Sequence, residues 1–161
     1  MRIFERLAAR RRPPKDGEPA RHGVRGTALR RYLTAYVAAL IVFLVIDAFW
    51  LGVIAADFYQ DRLAAFMTGP VNLPPALGFY LLYIVGIVVF AIAPALESGA
   101  WRTAALRGAL LGLIAYATYD LTNLATLPEW PLSVALVDMV WGAVLTGTTA
   151  TLGFLITRQL S

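Results

Sequence analysis

The sequence predicts an all-α fold, a polytopic membrane protein built as a four-transmembrane-helix bundle. Three observations carry that expectation. Hydrophobic residues make up 59% of the 161, and the mean hydropathy is +0.67, too apolar for a soluble domain of this length. Four windows each supply the roughly 20 mostly apolar residues that a spanning helix needs. The charge is also lopsided: residues 1–31 hold ten Lys/Arg against three acids, a net of +7, whereas residues 32–161 hold four against seven, a net of −3.

In chain order, the first element is a basic, largely flexible tail over residues 1–31. Within it, "RIFERLAARRR" (Arg2–Arg12) has the make-up of a short basic amphipathic helix, with Ile3, Phe4 and Leu7 towards lipid. "PPKDGEPARHG" (Pro13–Gly23) reads as a flexible link. The partners expected of this tail are membrane lipids, anionic ones on the inner leaflet, rather than nucleic acid. "VIAAD" (Val53–Asp57) resembles a cleavage site faintly, but the polar lead is long and the apolar run spans, so no signal peptide is expected.

The membrane domain covers residues 32–157, with spans at 32–55, 75–96, 104–127 and 132–157. "GPVNLPP" (Gly69–Pro75) opens the second span and places proline where a missing N–H costs nothing. "PALESGAW" (Pro94–Trp101) closes it, and "LPEWP" (Leu127–Pro131) makes a tight turn before the fourth. Residues 158–161 form a short C-terminus. Basic residues set the orientation: the tail, Arg102 and Arg107 in the second loop, and Arg158 lie on one side. Both termini are therefore expected in the cytoplasm. "DFYQDR" (Asp57–Arg62) reads as a solvated interfacial loop, and Tyr59, Tyr80, Tyr83, Trp101 and Trp130 as belt aromatics near span ends.

Three ionisable residues fall inside the spans: Asp47, Asp120 and Asp138. Counted from the flanking acids Asp57 and Glu129, each lies roughly 10–15 Å below the outer surface at 1.5 Å per residue. No Lys or Arg stands at that depth. A charge at the centre of a spanning helix costs about 2.5–3.5 kcal/mol on insertion scales, so the three acids should face the protein interior or a wet cavity. Tyr116 and Asn123 share the Asp120 face, within about 60° on a helical wheel. "DAFWLG" (Asp47–Gly52) and "DMVWGA" (Asp138–Ala143) repeat an Asp-x-x-Trp spacing, and Trp50 and Trp141 are expected to bracket the acidic layer from either side. "GALLG" (Gly108–Gly112) is a small-xxx-small pair, expected to pack helices.

The segments "DAFWLG", "PPALGFYLLYIVG" (Pro74–Gly86), "GALLGLIAYATYDLTNLATLPEWP" (Gly108–Pro131) and "DMVWG" (Asp138–Gly142) together resemble the bacterial membrane family called domain of unknown function 2177. The resemblance runs from about Tyr32 to Thr157. It implies a four-helix integral membrane protein and brings no established reaction with it; the location expected is the bacterial inner membrane.

The candidate site is thus Asp47, Asp120, Asn123 and Asp138, flanked by Trp50, Trp141 and Tyr116. Its expected use is to bind or move a small cation, a proton or a polar ligand; any transport role favours a homodimer, since four helices are few for a complete pathway. The alternative is a structural or accessory protein whose aspartates only fix helix packing. A lipid-headgroup enzyme is a third reading, disfavoured because the chain has no cysteine, a single histidine (His22) in the tail, and no phosphate-binding or nucleophile motif. No metal and no cofactor is expected.

Overall fold

The computed structural model describes the backbone of residues 21–161 and side chains from residue 26 onward. The amphipathic stretch Arg2–Arg12 and residues 13–20 of the link lie outside the described residues. Every regular element described is helical: α1 (Arg21–Phe49), α2 (Ala56–Leu63), α3 (Leu73–Ile87), α4 (Ala93–Ser98), α5 (Trp101–Thr126) and α6 (Leu132–Leu160). Residues Arg21–Gly23, expected at the end of a flexible link, instead form the first turn of α1. By contact, the chain divides into two units, Met1–Arg30 and Arg31–Ser161, and the account below concerns the second.

Two short π-helical turns interrupt the α-helices. At Trp50–Ile54 the Ala55 N–H reaches back to the Trp50 carbonyl at 2.8 Å, one residue further than α geometry. At Val88–Ile92 the Ala93 N–H bonds to the Val88 carbonyl. The second turn precedes Pro94, which has no N–H to give, so the wider ladder takes up a step that proline would otherwise break. α4 then stops at Gly99, whose φ of 69° is the left-handed conformation that glycine adopts freely at a helix end. The Arg31 guanidinium donates to the Leu96 carbonyl at 3.1 Å, satisfying one of that end's orphan acceptors.

Among the described residues, three helices are long and apolar enough to cross a membrane: Gly26–Ile54, Leu73–Ser98 and Leu132–Leu160. The remaining predicted span, 104–127, is indeed a helix, α5, but it is not among them. Its second half carries Thr118, Tyr119, Asp120, Thr122, Asn123 and Thr126, and these lower its apolar character. The three threonines return their hydroxyls to carbonyls one turn back, so their polarity is partly absorbed within the helix itself.

Large apolar side chains point outward along the helices, as at Val45, Leu82, Phe90, Leu106 and Val140, and small ones point inward. A lipid surround removes most hydrophobic drive for helix association, so close approach and dispersion must hold the interior. Ala35, Ala39, Ala91, Ala95, Ala104 and Ala150 are buried there beside Phe43, Ile84, Ile87, Ile92, Leu145 and Phe154. The tightest seam joins α5 to α6. A Cβ added at Gly112 would collide with the Gly142 carbonyl oxygen, and one added at Gly108 would meet Ala150 Cβ and the Thr146 carbonyl at 2.8 Å. "GALLG" therefore packs helices within this chain, as its spacing suggests.

Candidate functional site

Five elements converge below the α1–α3 connection. Beyond the π-turn, α2 folds back over the ends of α1 and α6. Asp57 stands in its first turn and Arg62 in its last, each complementing the helix dipole. Arg62 pins the helix down: its Nε–H donates to Ser133 Oγ at 3.2 Å, and its guanidinium lies 4.1 Å from the centre of the Phe58 ring. The following turn is held by Phe66, whose ring centre sits 5.1 Å from that of Trp130. This placement turns Tyr59 inward.

The two Asp-x-x-Trp motifs meet because α1 and α6 run in opposite directions. Each aspartate then lies opposite the other helix's tryptophan. The Trp141 indole N–H donates to Asp47 Oδ1 at 3.4 Å, and the Tyr80 hydroxyl donates to Asp47 Oδ2 at 3.0 Å. On the other side the Tyr59 hydroxyl donates to Asp138 Oδ1, while the Trp50 indole N–H donates to the Tyr59 oxygen at 3.2 Å. The tryptophans do not bracket the acids. They stack on each other, centroids 4.1 Å apart and planes inclined by 11°, and tie the two halves of the network together. Burial, and after it the hydrogen bond to Asp138, pushes the Tyr59 phenol above its ordinary range, so it stays a neutral donor.

Between these groups lies a cavity of about 290 Å³ lined by Asp47, Leu51, Tyr59, Leu63, Met67, Phe79, Tyr80, Tyr116, Asp138 and Trp141. Its wall is mostly apolar and aromatic, carries two carboxylates, and includes no lysine or arginine. Tyr116 is held against Gly142, where any side chain would strike its ring. Among the described residues, no group of three or more His, Asp or Glu side chains is placed to hold a metal ion.

Of the residues expected at the site, Asp47, Asp138, Trp141 and Tyr116 line the cavity, and Trp50 backs it. Asp120 and Asn123 are not in its wall. Asp120 is fully buried on α5, within electrostatic reach of Asp138 and facing the indole N–H of the buried Trp130, with which it falls just outside hydrogen-bond geometry. Tyr116, one turn earlier on the same face of α5, lines the cavity, so Asp120 is left out by its position along the helix and not by the face it occupies. Tyr59, in the segment expected as an interfacial loop, and Tyr80, expected as a belt aromatic, both hold a carboxylate. For Tyr59 the available signal was an aromatic next to Phe58 in an otherwise polar loop; Tyr80 carried no comparable mark.

A family model described as "Predicted membrane protein (DUF2177)" matches residues 32–155. No curated protein and no solved structure matches the chain. The matched residues include both Asp-x-x-Trp motifs, all of α2 and the whole cavity wall, and the chain accordingly belongs to DUF2177, a family of membrane proteins of unknown function.

Proposed function

We propose that this protein binds a small cationic or polar ligand in the cavity beneath α2, with Asp47 and Asp138 as its charged groups. One observation carries the reading: two carboxylates from different helices line a single cavity whose wall has no basic side chain. An intramembrane acid is costly to retain without a use, and two acids facing one space raise the local attraction for a positive guest. The reading includes α5 as a fourth transmembrane helix, its polar half turned to the site's side of the membrane, and both termini in the cytoplasm of a bacterial inner-membrane protein. The cavity then opens away from the cytoplasm, and its ligand arrives from outside.

A second reading has its own observation. Three of the four carboxylate oxygens of Asp47 and Asp138 accept hydrogen bonds from Tyr80, Trp141 and Tyr59, which is also what a purely structural polar network requires. One experiment separates the two. The purified protein is melted across pH and in the presence of inorganic cations, amines and neutral polar solutes, beside Asp47→Asn and Asp138→Asn. Binding predicts a solute-dependent rise in Tm that both substitutions abolish. A structural network predicts a lower Tm in each variant and no solute effect in any protein.

A further inference from the structure

The chemistry of the wall narrows the guest to one class. We infer that the cavity takes a primary arylalkyl- or alkylammonium ion, its head at Asp138 and its apolar tail against Leu51, Leu63, Met67 and Phe79; this rests on the binding role proposed above. The carboxylate hydrogen bonds decide where the head goes. Both oxygens of Asp47 already accept, from Trp141 and Tyr80. Asp138 Oδ1 accepts from Tyr59, and Asp138 Oδ2 accepts none from the described residues. An N–H donor on a positive head finds its unfilled acceptor there, and a charge-assisted hydrogen bond is among the strong ones.

The remainder of the wall suits a weakly hydrated organic cation better than a bare ion. Tyr59, Tyr80, Tyr116, Trp141 and Phe79 present aromatic rings, whose faces attract an ammonium group within about 6 Å. Divalent metals need six or more oxygens, or a compact set of His, Asp and Glu ligands, and no such group exists among the described residues. Size points the same way. The cavity, at about 290 Å³, is about twice the ~150 Å³ of an apolar cavity known to hold a benzene ring, so a phenyl group with a short amine arm has room. Leu51, Leu63 and Met67 give that tail an apolar seat, and methionine adapts to its shape.

The test titrates the purified full-length protein in nanodiscs with 2-phenylethylammonium, 2-phenylethanol, methylammonium and sodium chloride, reading intrinsic tryptophan fluorescence, of whose four emitters two are the stacked Trp50–Trp141 pair. The expected result is saturable quenching by 2-phenylethylammonium, with 2-phenylethanol about ten- to a hundredfold weaker, the scale of one charge-assisted hydrogen bond. Asp138→Asn should weaken the ammonium by a similar factor and leave the alcohol unchanged. Leu63→Phe, which fills the tail end and keeps both acids, should weaken 2-phenylethylammonium and spare methylammonium; it decides the matter if Asp138→Asn does not fold. Equal binding of the alcohol overturns the inference, because the charge is then unused. An Asp138-dependent response to sodium alone overturns it too, while leaving a cation site in place. Silence from every probe at millimolar concentration removes the ammonium site, and the binding role falls with it only if the melt screen across cations, amines and polar solutes is flat as well.

Discussion

Tyr59 donates to Asp138 and accepts from Trp50, so a single oxygen links the two residues. Tyr59→Phe removes that oxygen and strands a donor and an acceptor in a half-buried space. The expected loss is about 1–3 kcal/mol, the usual cost of leaving polar groups unpaired, read as a lower Tm in detergent. The substitution should also change the alkaline limb of stability. Because the folded protein holds the Tyr59 proton more tightly than the unfolded chain, this contribution is fully present below the ordinary tyrosine value near 10 and fades as pH rises through the higher folded value. Tyr59→Phe should flatten that limb, a difference visible in melts taken from pH 8 to 11. Asp120 predicts the opposite sign. It is buried, and the Trp130 indole N–H that faces it does not close to hydrogen-bond geometry, so Asp120→Leu, apolar and somewhat larger, should cost little or raise stability by about 1–3 kcal/mol. A fall in Tm of that size would instead mean that the carboxyl is engaged.

At the scale of elements, the seam between α5 and α6 is set by absent side chains. Gly112→Ala forces its Cβ onto the Gly142 carbonyl, which belongs to a helix backbone and cannot step aside, and should cost about 1–3 kcal/mol, the usual cost of overpacking. Gly78→Ala on α3 meets open space and should be neutral or stabilising by up to about 1 kcal/mol through helix propensity. Melting the two variants side by side checks the contrast. The existence and approximate ends of α3, α5 and α6 were legible in the sequence, since apolar length, Pro74, Pro75 and the "LPEWP" turn mark them directly; α2 was not, its polar segment reading as a loop, and α1 begins at Arg21 within the predicted tail. Which acids share a cavity was not legible: Asp120 lies on the face that brings Tyr116 into the wall but one turn further along, and only the offset of α5 along the neighbouring helices leaves it out. The inward turn of Tyr59 was hidden for a similar reason, since it follows from a non-α turn between α1 and α2 that no periodicity reveals.

For the whole molecule, the open matter is whether α5 crosses the membrane beside the three apolar helices. The chain has no cysteine, so single cysteines introduced at Val71, Ser98, Glu129 and Ser161 report one position each without background. If α5 crosses, a membrane-impermeant maleimide should label positions 71 and 129 in intact cells, and 98 and 161 only after permeabilisation. If α5 stays on the cytoplasmic side, 129 and 161 exchange behaviour while 71 and 98 do not. The basic residues Arg102, Arg107 and Arg158, set against the acids Asp57, Asp61 and Glu129, favour the first pattern.

The π-turn at Trp50–Ile54 holds one residue more than an α-helix would need over the same rise. Removing Gly52, whose position has open space around it, would let the ladder close to ordinary α spacing while the chain on either side keeps nearly its place. The same deletion inside regular helix, at Val45 on the outer face of α1, has no spare residue to absorb it and would swing every later side chain by about 100°. The site therefore depends on a count of residues as much as on their identity. A deletion of Val45, which removes no contacting group at all, should dismantle it, whereas many substitutions on that outer face should pass unnoticed.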